Sequence, residues 1–489
     1  MRIQSGKAAD FLQHGLSEAD HAAYAQAEDM LWVMLEDLVK PDDRPEIWAA
    51  FPQFLSALPM FSRVVRNSHA KAASGAVKLD LRVAIALETL LAMCEAHEGA
   101  LDLAIARLTR VATLQNNSIL AQGALFHVHG MADPENPKYK LEGRFCAKPF
   151  LELHVLERST HQCCASWLDK SAGDLNTSDW EQVWNSESAQ AVRASIHDGS
   201  YRHCNKMACP AIQSGSLPTK EAAVSQWPTL ASLITNLETE MPAGPEDVNL
   251  AYDLTCNLSC PSCRTQKIAA DEATRQRYDA MQERAILPML REAKTVFITG
   301  SGDPFASKNF RRLMEKLTPD NYPDLRFRIM TNAMLFTPRE WDRFPALHNR
   351  VFSLQISIDG ASAATHELLR RGARWEVMQQ NLRFAAGLLE QGLIERLSLS
   401  FTVQAENFHE MGEGVALAES LNATSIYFGK MTNWGTFTPA EYTAKAVFLP
   451  DHPQYQAFLA AMADPRLRSP RVQLGNLVEF LPESSAVAA

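Results

Sequence analysis

Between Met30 and about Leu114 the apolar residues recur at helical spacing: Leu31, Met34, Leu35 and Leu38 make one stripe, and Leu101, Ile105, Leu108 and Ala112 another. Stripes of this kind predict helical hairpins. The segment MADPENPKY (Met131 to Tyr139), with two prolines among polar residues, predicts a turn or linker. From about Val248 to Phe428 the pattern changes. Six short apolar runs, VNLAYDL, TVFITG, LRFRIMT, VFSLQISI, LSLSFTV and TSIYFG, alternate with helical stretches. Alternation of this kind predicts βα units and a parallel sheet, so the fold class is α/β. Six units make a partial (β/α)6 barrel, whose ligand face lies at the C-terminal ends of the strands. The expected organisation is an N-terminal all-α domain over 1–135, a small cysteine-rich domain over 136–230 and the partial barrel with a C-terminal extension over 231–489.

Within the cysteine-rich segment, Ser178 and Glu181 have capping-box spacing. Trp180, Val183, Trp184, Ala191, Val192 and Ile196 give an apolar face, and Gly199 is placed as a stop. One helix is therefore expected between the Cys163/Cys164 pair and Cys204. His127 and His129 are expected on one face of a strand, as structural histidines or a metal pair. Cys94, in LETLLAMCEAH, reads as a core residue, and PQYQAFLAAMA after Asp451 as a helix.

Composition narrows the possibilities. Lys+Arg 47 against Asp+Glu 57 gives a net charge of −10, and no stretch is basic enough to follow a phosphate backbone, so nucleic acid is not an expected partner. No apolar run reaches the roughly 20 residues of a membrane helix, and the first residues lack a signal-peptide core. The expectation is a cytoplasmic protein without a membrane partner. Its nine cysteines, eight of them between Cys146 and Cys263, would then be reduced, and their odd number and clustering point to metal or catalysis rather than disulfides.

The most specific motif is Cys256-Asn-Leu-Ser-Cys260-Pro-Ser-Cys263, directly after the first strand of the barrel. Three thiolates at this spacing can hold three irons of a cubane and leave the fourth without a protein ligand. A structural zinc site would need a fourth ligand nearby, and no His or Cys follows within the next forty residues. In motif and context the segment resembles the radical S-adenosylmethionine (SAM) superfamily, although Ser262 stands where that family often has an aromatic residue. The resemblance implies a [4Fe–4S] cluster on Cys256, Cys260 and Cys263 whose open iron binds SAM. One electron then cleaves SAM to methionine and a 5′-deoxyadenosyl radical that removes hydrogen from a substrate carbon.

Further stretches agree in order. Gly300-Ser301-Gly302-Asp303-Pro304 resembles the family's Gly-Gly-Glu-Pro segment; its glycines allow close approach of the ligand, and Asp303 could accept from the SAM ammonium. Ser357 and Asp359, ending the fourth strand, suit the ribose and its surroundings, and Arg370 or Arg371 could clamp the SAM carboxylate. Asn332 and Gln404 end strands three and five at the same mouth. Lys430, Asn433 and Trp434 line the substrate mouth or form a plain loop.

Cys146, the Cys163/Cys164 pair, Cys204 and Cys209, with the helix between them, resemble the SPASM-type auxiliary cluster domain of radical SAM enzymes, here placed before the barrel. Five cysteines compete for four ligand positions. Cys146, Cys163, Cys204 and Cys209 are expected to hold an auxiliary [4Fe–4S] cluster, because neighbours such as Cys163 and Cys164 point opposite ways in an extended segment. The remaining Cys164 could donate hydrogen to a substrate radical. The expected activity is radical maturation of a peptide or protein; radical modification of a sugar, nucleotide or other small metabolite is the enzymatic alternative. An iron–sulfur electron-transfer or scaffold protein is the non-enzymatic one. A reducing partner such as flavodoxin or ferredoxin is implied.

Overall fold

The computed structural model describes residues 18–39, 48, 50–114, 118–168 and 170–482. The described residues form two compact units. The first holds those up to residue 145 with 166–170 and 195–226; the second holds 146–165, 171–194 and 227 onward.

In the first unit the helical expectation holds. Helices span Glu18–Leu38, Phe51–Ala57, Phe61–Ala73, Leu81–His97, Leu101–Leu114 and Ile119–Ala132. Leu31, Leu35, Phe61, Leu90 and Leu108 share one core with Cys94, which is fully buried as expected. Asp80 caps Leu81–His97 by accepting from Val83 N at 3.0 Å, and Ser118 caps Ile119–Ala132. His127 and His129 lie in that last helix and not in a strand. Alternation in HVH imitates a strand, but Ser118 has already started a helix in which residues two apart diverge.

The second unit is built on one nine-stranded sheet. Its strands are β1 (Glu152–Val155), β2 (Thr160–His161), β3 (Asp247–Leu250), β4 (Thr295–Ile298), β5 (Arg326–Thr331), β6 (Val351–Ser357), β7 (Leu397–Val403), β8 (Ser425–Lys430) and β9 (Val472–Gln473). The order is β2-β1-β3-β4-β5-β6-β7-β8-β9, and only the β1–β2 pair is antiparallel. All six predicted runs are strands, β3 to β8. Helices intervene along this series, among them Glu272–Met281 after β3, Lys308–Lys316 after β4, Trp375–Glu390 after β6 and Met411–Ser420 after β7.

The sheet is longer than expected because β1 and β2 join it at one edge and β9 at the other. Residues 146–165 pack with the sheet, so the stretch 136–230 is divided between the two units. The single helix expected after Ser178 is two, Trp180–Trp184 and Glu187–His197, and the N-cap Asp179 makes no side-chain cap bond. Asn185 interrupts it: its Oδ1 accepts from Met241 N at 2.8 Å and from Arg193 at 3.1 Å. The expected helix after Asp451 spans Tyr455–Met462.

Burial alternates along the strands. Val248, Leu250, Val296, Ile298, Leu354 and Ile356 are buried, as are their counterparts in β5, β7 and β8. Their neighbours, including His154, Asn249, Phe297, Ser357 and Ser400, are partly exposed on the opposite face. One face is therefore apolar and covered, and the other is polar and open.

Candidate active site

Every loop the sequence singled out leaves the C-terminal edge of this sheet. The cysteine loop follows β3, Gly300–Pro304 follows β4, Asn332 follows β5, Asp359 follows β6 and Gln404 follows β7.

The cysteine loop is fixed from several sides. Cys256 N donates to Ile268 O at 2.9 Å, and Cys263 N and Arg264 N both donate to Cys260 O. Arg371 Nε donates to Ser259 O at 3.0 Å and its Nη2 to Thr265 O at 3.0 Å, while Ser259 N returns a bond to Arg371 O. Arg371 is thus a brace for the loop. Leu258, Cys260 and Ala373 form a small apolar cluster with Cys256 and Met334, leaving Cys263 as the exposed thiol.

The sulfurs carry hydrogen bonds. Cys256 Sγ accepts from Leu258 N at 3.4 Å and from Asn332 Nδ2 at 3.6 Å, and Cys263 Sγ from Arg264 Nη2 at 3.3 Å. Burial pushes the Cys256 and Cys260 thiols above their ordinary value. Burial alone would lower Arg264, but the Cys263 sulfur beside it holds the guanidinium firmly charged. Arg264 also donates to Leu254 O at 2.7 Å and to Ser301 O, joining the cysteine loop to the segment after β4. Sequence reasoning missed Arg264; a cation directly after the last cysteine was the available signal.

That segment lies against the same loop. A side chain at Gly302 would put its Cβ 2.4 Å from Asp253 O and 2.7 Å from Thr255 O, so only glycine fits there. Gly300 meets nothing within 4 Å. Ser301 Oγ donates to Ala251 O at 2.6 Å. Asp303 is fully buried, and burial pushes its carboxyl up. Its Oδ2 accepts from Thr331 Oγ1 at 2.7 Å and Asn332 N at 2.9 Å, and its Oδ1 from Phe305 N at 3.1 Å. The carboxylate thus ties the end of β4 to the end of β5.

At the end of β6, Asp359 adopts a left-handed φ of 48° and is buried. Its Oδ1 accepts from Thr402 N at 2.7 Å and its Oδ2 from Arg370 Nη1 at 2.6 Å. Burial works against the Arg370 charge, but the Cys260 sulfur and the Asp359 carboxylate sustain it. Arg370 Nε is buried without a hydrogen-bond partner among the described residues, so this arginine, unlike Arg371, keeps a donor in reserve beside the cysteine loop. Asn407 Nδ2 donates to Asp359 O and Thr402 O, and its Oδ1 accepts from Gln404 N at 2.8 Å. Glu410 accepts from Ala361 N, Ser362 N and both the Ser362 and Thr365 hydroxyls. Ser357 is partly exposed on the open face of β6. His366 is buried and pushed down to about 4 by burial, and its Nδ1 donates to Ile358 O at 2.6 Å. Asn407, Glu410 and His366 were not singled out in the sequence, since nothing in their spacing shows that they converge on Asp359 and its loop.

Two expectations at the edge are resolved. Lys430 is paired with Glu479, and Asn433 closes its own turn by accepting from Gly435 N and donating to Phe437 O. Cys146, Cys163 and Cys164 belong to the second unit, and Cys204 and Cys209 to the first.

The Radical SAM superfamily model matches residues 254–409, from the start of the cysteine loop to the edge of the Glu410 contact. This segment is a radical SAM domain. An AdoMet-dependent heme synthase of Methanosarcina barkeri is 28% identical over 213 residues, which is 40% of this chain and 55% of that protein. The chain therefore spans about half the length of the curated relative it matches. Among solved structures, Streptococcus suis SuiB bound to S-adenosylmethionine is 12% identical, with 46% of this chain and 44% of that one covered at a TM-score of 0.30. Native anSMEcpe with bound AdoMet and Kp18Cys peptide is 19% identical, with 38% and 51% covered at 0.29. Likeness at these scores decides nothing about fold or function.

The radical SAM domain implies a [4Fe–4S] cluster with SAM, and the cysteine loop fits it. Three soft thiols share one loop, N–H donors already address two of the sulfurs, and two arginines, Arg264 buried and Arg370 largely so, offset the negative charge that a thiolate-bound cluster would bring. Among the described residues, no three His, Cys, Asp or Glu side chains meet at the spacing of a single metal ion.

Proposed function

We propose that this radical SAM enzyme reductively cleaves SAM and uses the resulting 5′-deoxyadenosyl radical to remove hydrogen from a carbon of a peptide or protein. The observation that carries the reading is the cysteine loop after β3, with Asn332, Arg264 and Arg370 all directed to its sulfurs or beside them. A cluster bound there supplies the electron for S–C cleavage. Cys256, Cys260 and Cys263 would hold it, and the amide of Asn332 and guanidinium of Arg264 would keep hydrogen bonds to its ligand sulfurs. Arg370 would turn its spare donor to the SAM carboxylate, held in place by Asp359. Gly300, Ser301 and Gly302 offer backbone beside the same loop, and Ser357, Asp359 and Gln404 line the mouth for the ribose and adenine. Asp303 would act by holding Asn332 in place, and a water would carry any contact with the SAM ammonium.

Cys146, Cys163, Cys204 and Cys209 are proposed as ligands of an auxiliary [4Fe–4S] cluster, with Cys164 left as a thiol able to return hydrogen to a substrate radical. A flavodoxin or ferredoxin would deliver the electron. The first test is anaerobic reconstitution followed by metal analysis and incubation with SAM and dithionite. About eight irons per chain and release of 5′-deoxyadenosine are expected. About four irons would remove the auxiliary cluster, and no 5′-deoxyadenosine would remove the activity.

A second reading has its own support. The curated relative is by name a heme synthase, so a tetrapyrrole or other small metabolite is the alternative substrate. A gene neighbour encoding a short peptide would favour the first reading.

A further inference from the structure

Strand β1 lies outside the matched segment 254–409, yet it extends the sheet in register with β3, from Glu152 opposite Asp247 to Val155 opposite Leu250. Pairing continues across three more strands, β4, β5 and β6, and sets His154, Asn249, Phe297, Arg328 and Ser353 in one row on the open face.

The left part of this row is closed upon itself. Asn249 Nδ2 donates to His154 Nδ1 at 3.2 Å, which leaves the imidazole proton on Nε2, 3.2 Å from Glu152 Oε2. Lys148 Nζ donates to Glu152 Oε1 at 2.5 Å. What this chain of bonds fixes is the Asn249 amide. Its Nδ2 is committed to His154, and its Oδ1 is buried with no partner among the described residues. A buried acceptor without a donor is unfavourable unless something fills it.

On the other side of Phe297 stands the complementary vacancy in charge. Arg328 is exposed, its guanidinium carbon lies 5.0 Å from the centre of the Phe297 ring, and it enters no ion pair among the described residues. Asn249 and Arg328 are two strands apart, roughly 10 Å between backbones at ordinary strand spacing, with the Phe297 ring as the floor between them. The row thus offers an acceptor that lacks a donor, an apolar ring, and an exposed cation that feels the Asp247 carboxyl but is held in no close ion pair among the described residues.

We propose that this row anchors the substrate: Arg328 takes a carboxylate, and Asn249 Oδ1 takes a neighbouring N–H. That combination describes an amino-acid residue, as a peptide C-terminus or an acidic side chain beside its own amide. The proposal deepens the peptide reading and rests on it. Its position adds a length. Arg328 lies four residues below Asn332 on β5, roughly 13 Å from the cysteine loop along the strand, so the reacting carbon falls within about four extended residues of the anchored carboxylate.

The experiment uses the reconstituted full chain, immobilised under anaerobic conditions with SAM. It is challenged with a pool of random hexapeptides with free carboxylates, with the same pool methyl-esterified, and with mesoporphyrin, a tetrapyrrole carrying two propionates. Wild type is expected to retain a subset of the free-acid pool and not of the esters. Arg328→Gln should lower that retention at least tenfold, Arg328→Lys should restore part of it, and both should keep the wild-type unfolding midpoint. Equal retention by Arg328→Gln, equal retention of the esters, or no ligand retained by wild type would overturn the anchor. Arg328-dependent retention of mesoporphyrin with no peptide retained would keep the carboxylate site and overturn the peptide reading. Loss of 5′-deoxyadenosine in wild type would instead strike the radical SAM activity itself.

Discussion

Two glycines two residues apart make opposite demands on the same loop, and substituting each by alanine separates them. At Gly302 a Cβ would sit 2.4 Å from Asp253 O and 2.7 Å from Thr255 O, both backbone atoms, so the loops must part by at least about 0.6 Å to reach 3.0 Å. They are not free to part. Asp303 N donates to Thr255 O at 2.9 Å, Ser301 Oγ to Ala251 O at 2.6 Å, and Arg264 to Ser301 O. Overpacking costs about 1–3 kcal/mol, and one or two of these bonds lost adds about 1 kcal/mol each, so Gly302→Ala should lose about 2–5 kcal/mol. Gly300 meets nothing within 4 Å, and Gly300→Ala should stay within about 0.5 kcal/mol of wild type. Urea unfolding followed by circular dichroism measures the difference, and iron retained after a chelator challenge shows whether the cysteine loop moved. Gly302→Ala as stable and as iron-loaded as Gly300→Ala would refute the packing of the two loops.

Other predictions distinguish neighbouring residues. Arg370→Ala should weaken SAM binding roughly ten- to a hundredfold, the worth of one charge-assisted bond; Arg371→Ala should leave SAM affinity within about threefold and speed iron loss to a chelator, because its donors hold Ser259 O and Thr265 O. Titration calorimetry and chelator kinetics read the two effects. At Glu410, burial raises the carboxyl but the bonds from Thr365, Ser362 and Ala361 outweigh it and hold it below the usual glutamate range. Its stabilisation is therefore complete above that range and lost as pH falls through the lowered value, so wild type and Glu410→Gln should converge in stability on acidification and diverge toward neutrality. For the auxiliary cluster, Cys163→Ala should lose iron while Cys164→Ala keeps its full complement, as metal analysis of the two variants would show.

Legibility in the sequence followed element length and locality. Strands β3 to β8 carry four to seven residues with a buried face and turn signals on both sides, enough to be read as a series. β1 has only four, inside a segment whose cysteines drew attention to metal, although Leu153 and Val155 alternating with Glu152 and His154 already showed a strand. β2 and β9 have two residues each and no pattern at all. At the site, the cysteine loop was legible because its chemistry is local. Asp303 was legible as a residue and not as a role: its burial between the ends of β4 and β5 is set by Thr331 and Asn332, 28 and 29 residues further on. Glu410 depends on a contact spanning 48 residues, which periodicity does not carry.

The central claim is that Cys256, Cys260 and Cys263 hold the cluster at which SAM binds. Electron paramagnetic resonance of the dithionite-reduced chain, recorded with and without SAM, tests it most directly on wild type and on the Cys256→Ala/Cys260→Ala/Cys263→Ala variant. The account predicts that SAM changes the signal of wild type, and that the variant keeps the auxiliary signal alone, unmoved by SAM. A variant whose signal still responds to SAM would contradict it.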